Sequence, residues 1–167
     1  MTTVNALSYA LITGASTGIG CSLAHCFAQR GIPLILSASP RSEQALVDLA
    51  AQLHAQYGVA ALQHCVDLGQ AGAADALAAW VQAQGLEVAY LVNNAGFGIC
   101  EQAVQDYEPE RFAQMLQVNM LAPSRLISHF LPPMVARRSG RVLNVSSIAG
   151  YIYPHHQQGA YAATKAY

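Results

Sequence analysis

Tyr161 and Lys165 stand four residues apart in Tyr161-Ala162-Ala163-Thr164-Lys165, a spacing that puts both on one face of a helix. A phenol has a reference pKa of about 10 and is a poor acid–base group near neutrality unless a cation lies close. Lys165 brings that cation. Upstream, the hydroxyls of Ser146 and Ser147 follow an apolar run and could hydrogen-bond a substrate oxygen. A lone Tyr–Lys pair also arises by chance on surface helices, so the rest of the chain has to decide its meaning.

A second chemical feature lies near the other end. Thr13-Gly14-Ala15-Ser16-Thr17-Gly18-Ile19-Gly20 follows the apolar run Tyr9-Ala10-Leu11-Ile12. Glycines at 14, 18 and 20 allow a tight turn and close approach of a pyrophosphate to the backbone. The helix start beyond them offers free N–H groups and a positive dipole end. The spacing is GxxxGxG, and no Gly-Lys-Ser/Thr follows that would make it a nucleotide-hydrolysing loop. On its own, such a turn can also be purely structural. Asp67-Leu68 offers a carboxylate that could accept from an adenine amino group or cap a helix. Asn93-Asn94-Ala95-Gly96 combines small residues for close approach with amides that can tie strand ends together.

The elements that must position these residues follow from periodicity. Apolar runs at Tyr9 to Thr13, Pro33 to Ala38, Ala60 to Val66, Val88 to Asn93 and Arg141 to Val145 read as strands. Between them, helices are expected from Gly18 to Arg30, Ser42 to Tyr57 and Ala71 to Gln84. A long helix should start at Pro109, which has no N–H to leave unpaired, and run to Phe130 with a bend or break at Pro123. A separate short helix is expected at Met134 to Arg138, and a last one near Gly159. On the long helix, Phe112, Met115, Leu116 and Asn119 form a stripe that reads as core, with only Asn119 carrying a functional expectation. Strands this apolar are buried on both faces, which predicts an α/β fold with a doubly wound, Rossmann-type parallel sheet of about five strands. Ligands of such sheets sit beyond the carboxyl ends of the strands, where the chemical residues fall.

Composition narrows the function classes. The 167 residues carry a formal net charge of -1, with 53% hydrophobic and 10% charged residues. No cluster of Lys and Arg suggests nucleic-acid binding. Cys21, Cys26, Cys65 and Cys100 form neither a CxxC pair nor a zinc spacing, and read as small buried thiols in a reducing compartment. The first residues lack a basic leader and the apolar runs are too short to span a membrane, so a cytoplasmic location without membrane partners is expected. His155 and His156 read as a solvated loop.

Taken together, TGASTGIG, NNAG, the Asn119 segment VNMLAP, NVSS and YAATK resemble the short-chain dehydrogenase/reductase family along nearly the whole chain. The resemblance implies an oxidoreductase that moves a hydride between a nicotinamide dinucleotide and a small carbonyl or alcohol substrate. It implies that Ser147 positions the substrate and that Tyr161 transfers the proton. Lys165 would hold the nicotinamide ribose and lower the Tyr161 pKa, and Asn119 would hold a relay water. Ser147 stands one residue farther from Tyr161 than is commonest in the family, which keeps Ser146 open. Gly14, Ser16, Thr17, Gly18, Ile19 and Gly20 would contact the dinucleotide. So would Asp67, Leu68, Asn93, Ala95 and Gly96, together with Tyr161 and Lys165.

Cofactor choice is read after the second strand. NAD enzymes usually place an acid there for the ribose 2′-OH. Ser37-Ala38-Ser39-Pro40-Arg41 has none and has one Arg, which points to a 2′-phosphate and NADP(H) over NAD(H). Arg41 could instead open the next helix, and Thr17 stands where NADP-preferring relatives often carry a second basic residue. The family domain continues past a fifth strand, so residues 1–167 read as one dinucleotide-binding domain incomplete at its C-terminal side, with the fifth strand an open apolar edge. That leaves a second function class, a non-catalytic dinucleotide-binding fragment or pseudoenzyme. Full-length relatives are usually homo-oligomers.

Overall fold

The computed structural model describes residues 8–99, 102–152 and 158–167. Cys100, His155 and His156 lie outside the described residues. The strands are β1 (Ser8–Thr13), β2 (Leu34–Ala38), β3 (Ala61–Cys65), β4 (Glu87–Asn93) and β5 (Arg141–Asn144). The helices are α1 (Gly18–Ala28), α2 (Glu43–Tyr57), α3 (Ala73–Ala83), α4 (Pro109–Leu116), α5 (Ala122–Ala136) and α6 (Gly159–Ala166). All strand pairs are parallel, in the order β3-β2-β1-β4-β5. The order reverses beside β1, and that switch point is where the Gly-rich turn leaves the sheet.

Period-2 alternation along the central strands divides the core. Ala10 and Ile12 of β1 with Leu34 and Leu36 of β2 pack against Leu46 and Leu53 of α2. Leu11, Ile35 and Leu91 point the other way, against Leu77 of α3 and Leu126 of α5. Burial on both faces requires helices on both sides, and parallel crossovers supply them. The outer strands differ. Of the two edges, β3 is half-buried, and β5 is more open, with Leu143 43% exposed. Across α3 and α5, Asp75 takes hydrogen bonds from His129 and Arg125, which hold its carboxyl below the usual carboxylate range.

Two expectations are corrected here. No separate helix exists at 134–138: α5 runs on past Phe130 to Ala136, so residues 109–136 form one helical run. Its regular bonding is interrupted beside Pro123, as expected, by a wide π-turn at Gln117–Leu121 between α4 and α5. Pro132 and Pro133 lie on the exposed side of α5, where carbonyls they leave unpaired can turn to water. Cys26 is also exposed, whereas Cys21 and Cys65 pack half-buried at the edge of the core. Among the described residues no helix is long and apolar enough to cross a membrane, and no His/Cys/Asp/Glu group could hold a metal ion.

Candidate active site

The Gly-rich turn is built by fit rather than by side chains. Gly14 and Gly18 take φ of +63° and +55°, in the region where side chains are strained. A Cβ on Gly14 would sit 2.9 Å from the Ala95 Cα, and one on Gly20 would overlap the Gly14 carbonyl oxygen. The first turn of α1 has no side-chain cap at Thr17, and Thr17, Gly18 and Ile19 are exposed, so its N–H groups face outward unpaired by a cap. Ser16 is half-buried beside them. A pyrophosphate needs such a surface: backbone donors, a helix start and no intruding Cβ.

Thr13 and Asn94 hold the turn in place. The buried Thr13 hydroxyl donates to Val92 O and accepts from the backbone N–H of Asn94 and Ala95 at 3.1 and 3.0 Å. Asn94 Nδ2 donates to Thr13 O at 2.9 Å and Gly14 O at 3.0 Å. Asn93 makes the corresponding tie on the other side, its Nδ2 donating to Asn144 Oδ1 of β5 at 2.9 Å. Asn94→Ala removes two hydrogen bonds worth about 1 kcal/mol each and should lower stability by about 1–3 kcal/mol in denaturant unfolding. An unchanged unfolding midpoint would remove Asn94 from this role.

Beyond the strand ends lies a cleft of about 770 Å³, lined by Gly14, Arg41, Asp67, Leu68, Ala95 and Gly96 among others. Arg41 is exposed in a short turn, Pro40–Ser42, between β2 and α2. Asp67 accepts from Gly69 N at 3.0 Å and from Gln70 Nε2 at 3.3 Å, closing its own turn; the N-cap of α3 is Gly72. Leu68 is buried under it. Sequence reading passed over Glu108, Glu110, Arg111 and Gln114 at the start of α4, which line the same cleft as Arg41. The cluster of charges around Pro109 was their only local signal.

Behind Gly96 and Phe97 of the cleft wall, α6 meets the π-turn. Asn119 is buried, and its side chain accepts from Phe97 N at 3.1 Å and donates to Phe97 O at 2.8 Å and Thr164 Oγ1 at 2.9 Å. Lys165 Nζ donates to Val145 O at 3.0 Å, and burial pushes its ammonium below its ordinary value. A Cβ on Gly96 would lie 2.9 Å from Lys165 Nζ and 3.1 Å from Asn119 Oδ1. The Tyr161 ring lies over Gly98, where a Cβ would come within 2.9 Å, and packs with Phe97 and Phe112 around Met115.

The two serines part company. Ser146 Oγ donates to the Lys165 carbonyl, tying the end of β5 to α6. Ser147 Oγ accepts from Ala149 N at 3.2 Å, which caps the turn Ile148–Gly150 and uses an oxygen lone pair while leaving its own proton uncommitted among the described residues. Thr13 and Thr164 are the structural partners that sequence reading did not assign, whereas the ties made by Asn93 and Asn94 match the expectation for those amides. Thr13 and Thr164 are hydroxyls at positions that had to be buried, a signal that partners were needed.

A family profile described as short chain dehydrogenase matches residues 8–167. The chain is 35% identical over 158 residues to a fatty acyl-CoA reductase of Acinetobacter baylyi, covering 94% of this chain and 52% of that protein. It therefore spans about half the length of the curated relatives it matches. Among solved structures, a short-chain dehydrogenase from Sphingobium yanoikuyae in complex with NADPH superposes with a TM-score of 0.87 at 32% identity, covering 96% of this chain and 60% of that one. An alcohol dehydrogenase from Comamonas testosteroni, described as specific for bulky-bulky ketones, gives 0.87 at 29% identity over 97% of this chain and 63% of that one.

Proposed function

The chain belongs to the short-chain dehydrogenase family, and on that premise we propose that it interconverts a small carbonyl compound and the corresponding alcohol with NADP(H). The observation that carries the reading is that Lys165 and Asn119 meet at Gly96, in the wall of the strand-end cleft, with the Tyr161 ring over Gly98 two residues on. What the dinucleotide supplies when bound is hydride transfer to or from the substrate carbon.

Everything else falls to the chain. In the reducing direction the Tyr161 phenol gives its proton to the substrate oxygen as the C=O bond becomes C–OH. In the oxidising direction the phenolate takes that proton back. Lys165 stands one turn beyond Tyr161 on α6, with Nζ bonded to Val145 O and set over Gly96, where it can hold the ribose of the dinucleotide. Ser147 has a hydroxyl proton to donate to the substrate oxygen; Ser146 has already spent its own on Lys165 O. Asn119 acts as a positioning residue, because both its amide protons are engaged by Phe97 O and Thr164 Oγ1. The pyrophosphate fits the turn from Gly14 to Gly20, with Ser16, Thr17, Gly18 and Ile19 at its rim. Adenosine fits against Asp67 and Leu68, and Asn93, Ala95 and Gly96 give the close wall.

Preference for the 2′-phosphate rests on Arg41, which lines the cleft where β2 ends without an acid. A charge-assisted hydrogen bond contributes about 1.5–3 kcal/mol, so Arg41→Ala should weaken NADPH binding by about tenfold or more. NADH binding should stay near its original value. Nicotinamide fluorescence titrations of both cofactors test this; equal losses for the two would remove the preference from Arg41.

A further inference from the structure

We propose that Thr164 is a positioning residue: its buried hydroxyl sets the register of α6 against Asn119, and through Asn119 against the Gly96–Phe97 turn. The proposal rests on the dinucleotide site described above. Thr164 is 3% exposed and stands between the two residues of α6 that carry the proposed chemistry. Its Oγ1 donates to Tyr161 O at 2.7 Å and accepts from Asn119 Nδ2 at 2.9 Å. Asn119 in turn grips both backbone groups of Phe97. Three stretches remote in sequence are joined through one hydroxyl and one amide.

The bland reading is a helical threonine bonding back to its own preceding turn, which occurs on many helices. It accounts for the bond to Tyr161 O and for nothing else. Packing alone does not require the hydroxyl either. Ala162 fills a buried position on the same helix with a methyl group, and a buried hydroxyl costs free energy unless its bonds are made. Here they are made to Asn119. Lys165 Nζ and Asn119 Oδ1 both stand over Gly96, whose missing Cβ leaves room for them: one built there would lie within 3.1 Å of each. A displaced α6 carries Lys165 with it and so moves Nζ relative to Gly96. Arg41, Asp67 and Leu68 lie on other strand ends, remote from α6. Thr164 thus governs one end of the cleft and leaves the other alone.

That asymmetry is the test. The chain is titrated with NADPH, which occupies both ends, and with adenosine 2′,5′-bisphosphate, which occupies only the end at Arg41. Thr164→Val keeps the shape, loses the hydroxyl and strands one Asn119 proton. It should weaken NADPH about tenfold and leave the bisphosphate within about twofold. Thr164→Ser, which restores the hydroxyl, should bind both within about twofold of the original chain. If Thr164 acts through Asn119, Thr164→Val added to Asn119→Ala should weaken NADPH little beyond Asn119→Ala alone. Unchanged NADPH affinity in Thr164→Val overturns the proposal, as does a Ser variant as weak as the Val one, or additivity with Asn119→Ala. Parallel loss of both ligands in Thr164→Val and again in Thr164→Ala also overturns it, since the effect would then be general misfolding. An original chain that binds neither probe overturns the dinucleotide reading itself, and the proposal with it.

Discussion

Replacing Tyr161 by Phe should leave NADPH binding near its original value and lower carbonyl reduction by about 10²–10⁴-fold, the contribution of a placed general acid. The substitution is clean because the ring is held by packing: it sits over Gly98 and against Phe97 and Phe112 around Met115. The atoms over Gly98 are the ring carbons Cγ, Cδ2 and Cε2, so Phe keeps that packing and removes the proton donor. Lys165 keeps its bond to Val145 O and its place beside Gly96 in the variant. Cofactor affinity is therefore a control as well as a result. The measurement is the disappearance of NADPH absorbance with an excess of ketone or aldehyde, beside a fluorescence titration of the same protein. Undiminished reduction by the Phe variant would take the proton transfer away from Tyr161.

The second large effect is expected at Gly20. A Cβ at this position overlaps the Gly14 carbonyl oxygen and presses on Asn94 Nδ2, both parts of the tie between β1 and β4. Backbone cannot swing aside as a flexible side chain can, so the turn itself must move. Overpacking of this kind costs about 1–3 kcal/mol, and the displaced atoms hold in place the turn that carries the pyrophosphate surface. Gly20→Ala should therefore lose both stability and NADPH binding, the latter by well over about tenfold. Gly18 is the contrast. Nothing lies within 4 Å of a Cβ there, and only its φ of +55° disfavours Ala. Gly18→Ala should cost about 1–2 kcal/mol of backbone strain and keep a recognisable cofactor site. Denaturant unfolding and NADPH titration of the two variants separate the explanations. Equal behaviour of Gly18→Ala and Gly20→Ala would mean that close contact at Gly20 does not govern the site.

Where sequence was readable, the information was local. Glycines at fixed intervals after an apolar run specify a turn whatever the rest of the chain does, and alternating strands and helices specify a parallel sheet. The five strands and their parallel arrangement were legible for that reason. Prolines misled because their effect depends on context. Pro123 does mark a break in regular bonding, the π-turn just before it, whereas Pro132 and Pro133 face solvent and sit inside an unbroken α5. Contacts between remote residues were not legible at all. No spacing rule joins Asn119 to Thr164, or Thr13 to the N–H groups of Asn94 and Ala95. The choice between Ser146 and Ser147 likewise turns on partners, with Ser146 bound to the carbonyl of Lys165.

A helix that holds an extra residue in one turn keeps its phase on either side of it. An α-helix advances about 100° per residue, and a π-turn fits one residue more into a single revolution. Met115 before the wide turn and Ala122, Leu126, Phe130 and Met134 after it all point inward. Asn119 sits in the wide turn itself, between two stretches of ordinary helix. A turn shortened by one residue would close to ordinary pitch, and the amide that reaches Phe97 and Thr164 would lose its displaced position. The site thus leans on a backbone irregularity that the helices on either side do without.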